Sequence, residues 1–508
     1  ILRADGDLLR FSRPTINAVA VAASAGVAIA GSTGVAISGG GAVAINNVIR
    51  KTNAFVESID VHSATDVILT ATDDSEITAI VAAVSVAVGV GGSTGVGVSI
   101  GIAVARNFIG FDSSGNEAGG EVRAYLLDSS VDAGGQLNLT ASSNQLIDAV
   151  VLAGSAAIAA GGSTGIAVSG SGVYAENQIG VDVETSIDGD GDTGIRASSI
   201  SLTTIDGSSI VSIAGAASVA ASFGGSSGVA VSIGVALARN AISNKIDAVI
   251  RNADQGVTTT GGDVRIVAKQ KARIDVIAAA AALAAGFGGS AGIAVSGAGA
   301  EAKNVILGGA NAYVDGSVVN SAGDVWIEAE NDSRIDAINA SASIAAGAGG
   351  SAGVGVSIGL AIARNFVGYK PDFAATYDLT TDDDPANVAK GQRVKILNGV
   401  RAGDVYEFIG DETLTPEETT EEGTFLNTQD YADQSLWKLI SISAEGTAIQ
   451  ASVRNSSVHA MGVLSATAIS TQIIDSIVLA GSVAIGAGGS AGVALSGAGV
   501  SVENRIQV

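Results

Sequence analysis

From Val96 to Ile109 the chain alternates strictly. Val96, Val98, Ile100, Ile102 and Val104 fall on one face, and Gly97, Ser99, Gly101, Ala103 and Ala105 on the other. A period of two over that length predicts a strand of roughly 45 Å. Ile77 to Val90 alternates in the same way, and Gly91-Gly92-Ser93-Thr94-Gly95 joins the two arms. Glycine admits the backbone angles of a tight reversal, so the pair reads as a long β-hairpin.

This block recurs seven times. Its turn residue is Ser32, Ser93, Ser163, Ser226, Ser290, Ser351 and Ser490. An isoleucine stands sixteen residues before each turn serine, from Ile16 and Ile77 to Ile474. An asparagine stands fourteen after it: Asn46, Asn107, Asn177, Asn240, Asn304, Asn365 and Asn504. No insertion falls inside the 31-residue block, whereas the segments between blocks run to 30, 39, 32, 33, 30 and 108 residues. Rigid blocks with free connections, at a period of about 63 residues, define a repeat array.

The blocks alternate between two types in the order A-B-A-B-A-B-A. Type B carries large residues where type A carries glycine pairs, Gly39/Gly41, Gly170/Gly172, Gly297/Gly299 and Gly497/Gly499. Glycine inside a strand marks close approach of another segment. The pattern therefore predicts that Ile100 and Ile102 fill a notch left by the type A glycines, so that Gly172→Val overpacks. Ile277–Ala285 has helical propensity, but its register matches Ala79–Ala87 and Ala149–Ala157, and the repeat assigns it to a strand. The connections carry a weaker pattern, as in Ser130-Val-Asp-Ala-Gly-Gly-Gln-Leu-Asn-Leu-Thr-Ala141, which predicts two short strands about a glycine turn.

The expected fold is all-β: an elongated β-solenoid-like array of long Gly/Ala/Val hairpins. It divides into six blocks over 1–368, an inserted acidic β module over 369–441, and a seventh block over 442–508. An array grows lengthwise, so 508 residues need no single compact core. The net charge of −24 argues against nucleic acid. No run of eighteen apolar residues predicts a membrane-spanning helix, and the arms lack the aromatic girdles of a membrane barrel. The chain contains no cysteine, which fits export of an unfolded chain. It opens on Ile1 and both ends fall beside a repeat, so we read it as an excerpt of a longer protein.

The element S-x-V-x-A-G-G-x-[VL]-x-[IL]-x-A, the Gly/Ala/Val hairpin and the exit Arg106-Asn107-Phe108-Ile109 resemble repeat regions of giant secreted bacterial adhesins. These are the filamentous-haemagglutinin-like and leukotoxin-like proteins of Gram-negative bacteria. The resemblance is one of repeat style and covers roughly 430 residues. It implies a β-solenoid-like stalk exposed on or shed from a cell surface. A self-assembling extracellular filament, in which the same stacking continues between chains, is the alternative, and the expected partner is the chain itself: neighbouring repeats, or other copies end to end or side by side.

Several residues invite a chemical role. The asparagine column suits an amide ladder, with a glycan-binding row as the alternative. Asp188, Asp190 and Asp192 resemble the start of a calcium loop, the one cofactor the sequence suggests. Ser199 replaces the bidentate glutamate at position twelve, so a solvated acidic turn is the competing reading. In the insert, Tyr406, Phe408, Tyr431 and Trp437 suit stacking on sugar rings, which would make surface glycans a partner. A module this small also needs aromatics for its own core, and that reading is favoured. His62 and His459 stand apart with no nucleophile beside them. No nucleophile–base set, phosphate loop or zinc spacing is present, so the chain is read as a non-enzyme.

Overall fold

The computed structural model describes residues 2–4, 13–369, 377–397, 405–410, 413–415, 425–429, 431, 436–439 and 448–507. Apart from a 3-10 turn at Phe425–Thr428, every regular element described is a strand. The junction between insert and seventh block at 441–442 lies outside the described residues.

Each repeat is one coil of a solenoid. In the second coil the arms are Glu76–Gly91 and Thr94–Ile109, and the connection adds Gly120–Leu127, Ser130–Ala133 and Leu137–Ser143. Like strands of successive coils pair in parallel, giving five sheets of six or seven strands. Register is continuous: Gly165 pairs with Gly95 on one side and Gly228 on the other. The arms carry all their ladder bonds to neighbouring coils. They are therefore not a hydrogen-bonded hairpin. The turns stack as well, with Ser93 N donating to Ser32 O at 2.8 Å.

The two arms of a coil instead pack face to face, forming a blade of two parallel sheets. Residues between the sheets are mainly glycine, alanine and serine, joined towards the body by valines such as Val81 and Val151, and most of the larger ones point outward. A methyl group built on Gly95 would lie 2.1 Å from Ala160 O, and one on Gly89 1.8 Å from Val96 O. Sheets normally pack about 10 Å apart, a gap filled by side chains. Here the glycines let backbone approach backbone.

The outward face overturns the predicted notch. Ile100 and Ile102 are 48% and 50% exposed, and a Cβ at Gly170 or Gly172 would meet nothing within 4 Å. Ile100 does adjoin Gly39 and Gly170, but side by side on the outer surface. The A/B alternation corrugates the surface rather than interlocking the interior.

Below the blade, the three connection strands close a body with an ordinary aliphatic core. Leu69, Val122, Leu126, Leu139, Ile147, Ile179 and Ile246 lie within it, fully buried. The strand Gly120–Leu127 and its coil equivalents are a third connection element, beyond the two expected. One corner of the body is set by a file of residues at positive φ: Ser58, Asp128, Gly189, Asn252, Gly316 and Asn455. Each follows a residue paired in the same ladder.

The insert follows Val367 in the sixth coil. Its short strands Leu379–Thr380, Arg393–Lys395, Val405–Phe408 and Trp437–Leu439 make a separate four-stranded sheet.

Candidate functional site: buried polar files and an uncharged blade

Stacking turns each conserved offset in the repeat into a file along the solenoid axis. The seven asparagines, Asn46 to Asn504, make such a file where the second arm enters the body. Asn46 Nδ2 donates to Asn107 Oδ1, Asn107 to Asn177, Asn177 to Asn240 and Asn240 to Asn304, each at 2.8 Å. Asn304 donates to Asn365 at 2.7 Å and Asn365 to Asn504 at 2.8 Å. Asn107, Asn177, Asn304 and Asn365 are fully buried, so these amides spend their donors and acceptors on one another. A row turned inward in this way offers no surface to a glycan. Beside the file, Arg106 Nε donates to Glu176 Oε2 at 2.7 Å, joining a type B coil to a type A coil.

A second file lies at mid-blade, where serines meet between the two sheets. Ser24 and Ser38 are 2.8 Å apart, Ser85 Oγ donates to Ser38 at 2.9 Å, and Ser99 to Ser85 at 2.9 Å. The pattern resumes through Ser155, Ser169, Ser218 and Ser232, and again through Ser296, Ser343, Ser357, Ser482 and Ser496. Sequence reasoning missed this file. The signal was available: serine stands eight residues before and six after every turn residue, except where Ala282 replaces it.

A third cluster sits at the corner leading into the first arm. Asp206 is fully buried, and its Oδ1 accepts from Ser208 Oγ at 2.6 Å, Ser208 N at 3.1 Å and Asn244 Nδ2 at 2.9 Å. Burial raises its pKa above the ordinary 3.8, against the pull of those bonds. In a later coil Asn331 takes the same place, accepting from Ser333 and donating to Gln270 Oε1 at 2.7 Å.

The calcium reading fails on geometry. Asp188 ends a strand and pairs with Arg251 Nε at 2.8 Å and Asn252 Nδ2 at 2.7 Å of the next coil. Gly189 is the positive-φ corner, and beyond it Asp190 turns inward to accept from Gly256 N at 2.6 Å. Asp192 is exposed. The Asp-Gly alternation thus serves the corner, and no group of three metal-ligating side chains occurs among the described residues.

The glycan reading of the insert fails on burial. Tyr406 and Trp437 are 2% exposed, and Tyr431 and Phe408 are buried with them. Tyr431 and Trp437 rings lie 4.7 Å apart, Phe408 and Trp437 5.3 Å, and Tyr431 Oη donates to Leu426 O at 2.7 Å. The aromatics are the module's core. His62 and His459 are exposed; His62 Nδ1 lies 3.8 Å from Asp132, and His459 Nε2 lies 3.2 Å from Ser457 Oγ.

What remains exposed is the blade. From thirteen residues before each turn residue to eleven after it, Glu301 is the single charged side chain in all seven coils. Both outer faces carry aliphatic residues, among them Ile80, Leu152, Ile277 and Ile344 on the first-arm sheet and Ile37, Ile233, Ile358 and Leu495 on the second. Phe223 and Phe287 stack on the first-arm face with centroids 5.3 Å apart. No described helix is long and apolar enough to cross a membrane.

In comparisons with protein-family profiles, characterised proteins and solved structures, no match to this chain was found.

Proposed function

We propose that this chain is a structural element that builds an extracellular fibre held at or shed from a cell surface. The observation that carries the reading is the unbroken parallel register of seven coils. Each arm has ladder partners only in the coils beside it, and the asparagine that recurs in every coil is spent on those contacts. Stability then accumulates by neighbour interfaces, as a rod requires. The resemblance to giant adhesin repeats suggests the extracellular setting.

The geometry favours building over spacing. A coil of about 63 residues adds only one strand spacing, ~4.8 Å, along the axis, while its arms reach about 50 Å across it. Long uncharged arms are an expensive way to gain reach and a direct way to gain lateral surface. Deleting residues 147–273 joins Leu146 to Ile274 in register and removes one B-type and one A-type interval. Solution X-ray scattering should show a folded particle about 10 Å shorter with the same cross-section. Loss of folding, or a changed cross-section, overturns the reading.

A further inference from the structure

The outer face of the second-arm sheet repeats a relief that the fold does not need. Seven residues after each turn residue the file reads Gly39, Ile100, Gly170, Ile233, Gly297, Ile358, Gly497. Two positions further it reads Gly41, Ile102, Gly172, Val235, Gly299, Leu360, Gly499. Lateral pairing sets these residues side by side across the sheet. Each type B coil is therefore a ridge and each type A coil a groove floored by two glycines. A Cβ on Gly39, Gly41, Gly170, Gly172, Gly297, Gly299 or Gly497 would meet nothing within 4 Å. The ridge residues Ile100, Ile233 and Ile358 are 48–58% exposed. Among the described residues, no intramolecular packing accounts for either.

We propose that this corrugated face is the binding site for the same face of a second copy of the chain, ridges of one seated in grooves of the other. The inference rests on the structural reading above and names the contact through which copies join. Ridges recur every second coil, about 9.6 Å apart, with a groove of equal period between them. A two-fold axis parallel to the arms and passing between coils keeps each position along the arm opposite itself and reverses the solenoid axis. Displaced by one coil, such an axis places every type B coil over a type A coil for six of the seven coils. The contact is closed and isologous.

The area suffices. Nine residues of arm by six coils cover roughly 30 by 30 Å, about 900 Å² on each copy, against about 800 Å² per partner in a standard interface. The charge distribution also suits it. The chain carries −24, yet the blade face contributes only Glu301, at its base, so the charged bodies lie away from the seam. A lipid surface is the rival occupant and fits less well. Fluid acyl chains gain nothing from a fixed ~9.6 Å corrugation, and Tyr174 alone on the second-arm face makes no aromatic belt for a membrane boundary.

Sedimentation equilibrium of the 508-residue chain tests the proposal. The expected result is a dimer whose dissociation constant rises about 10- to 100-fold when Gly170→Leu and Gly297→Leu fill two grooves. Ile233→Asp, on a ridge, should weaken it likewise. Measured where the proteins are monomeric, the leucine variant's urea midpoint should match or slightly exceed the parent's, because the altered positions face outward and lose glycine's entropic penalty. Gly→Leu is the discriminating change: it adds apolar surface, so general stickiness would tighten association where interlocking predicts weakening. A monomeric chain at tens of micromolar, association strengthened by the leucines, or association indifferent to all these changes overturns the proposal. So does a chain that stays monomeric but floats with neutral phosphatidylcholine vesicles. A monomer that keeps its rod proportions and still shortens stepwise on coil deletion sinks this interface alone and leaves the structural reading intact.

Discussion

Gly165 and Gly170 lie five residues apart on one strand, on opposite faces, so the same substitution at both probes the two sides of the blade. Alanine at 165 would place its methyl 2.3 Å from Phe223 O and 2.8 Å from Phe223 C. Neither backbone can yield locally, since Gly165 is laddered to Gly95 and Gly228, and Phe223 to Ala160 and Phe287. The sheets must separate over several residues, and the cost falls in the overpacking range, about 1–3 kcal/mol. At position 170 the methyl meets nothing within 4 Å. There alanine relieves the entropic penalty of glycine, stabilising by about 0.5 kcal/mol. With a urea slope near 2 kcal/mol/M, Gly165→Ala should lower the midpoint by about 1 M at a 2 kcal/mol cost, and Gly170→Ala should raise it slightly. Urea titration followed by circular dichroism reads both. Equal shifts, or greater loss at Gly170, would refute the close-packed interior and restore the notch.

Asn177→Leu breaks the asparagine file, leaving Asn107 Nδ2 and Asn240 Oδ1 without their partner; chemical denaturation should show a loss of about 1–3 kcal/mol. Ser218→Ala should cost less than about 1 kcal/mol in the same assay, because Ala282 already occupies the equivalent place one coil on. Asp206 has a raised native pKa, so its favourable contribution is complete below the ordinary 3.8 and is lost as pH rises through the native value. Asp206→Asn, copying Asn331, should remove that pH dependence, so that thermal melts of the variant between pH 4 and 8 lack the decline that this carboxyl gives the parent. Calorimetric titration of calcium should give the same trace for the parent and for Asp190→Asn, since Asp188 and Asp190 are committed to Arg251 and Gly256.

The array and its register were legible because they rest on counting. Ile16 to Ile474 and Asn46 to Asn504 keep their distance from the turn, and stacking makes each constant offset a file. What periodicity could not show is which face of an alternating strand turns inward. The ordinary rule buries Val and Ile, yet in the arms Ala103 and Ala105 are interior while Ile100 and Ile102 face out. The inversion follows from glycines such as Gly95 and Gly165, which bring two backbones too close for any larger side chain. The same glycine signal misled at Gly170 and Gly172, since one residue type serves close approach on one face and an open groove on the other. Hairpin pairing was misjudged because a tight turn is compatible with either antiparallel bonding or face-to-face packing, and only coil-to-coil ladders decide. In the acidic loop, spacing alone could not reveal that Gly189 is a body corner which turns Asp188 and Asp190 apart.

Electron cryo-microscopy of the self-associated protein tests the central claim most directly. The account predicts paired particles joined along a thin seam between second-arm faces, solenoid axes antiparallel and offset by one coil, with Ile233 over a glycine-floored groove of the other copy. Copies joined through their acidic bodies, or only end to end with both blades free, would contradict it.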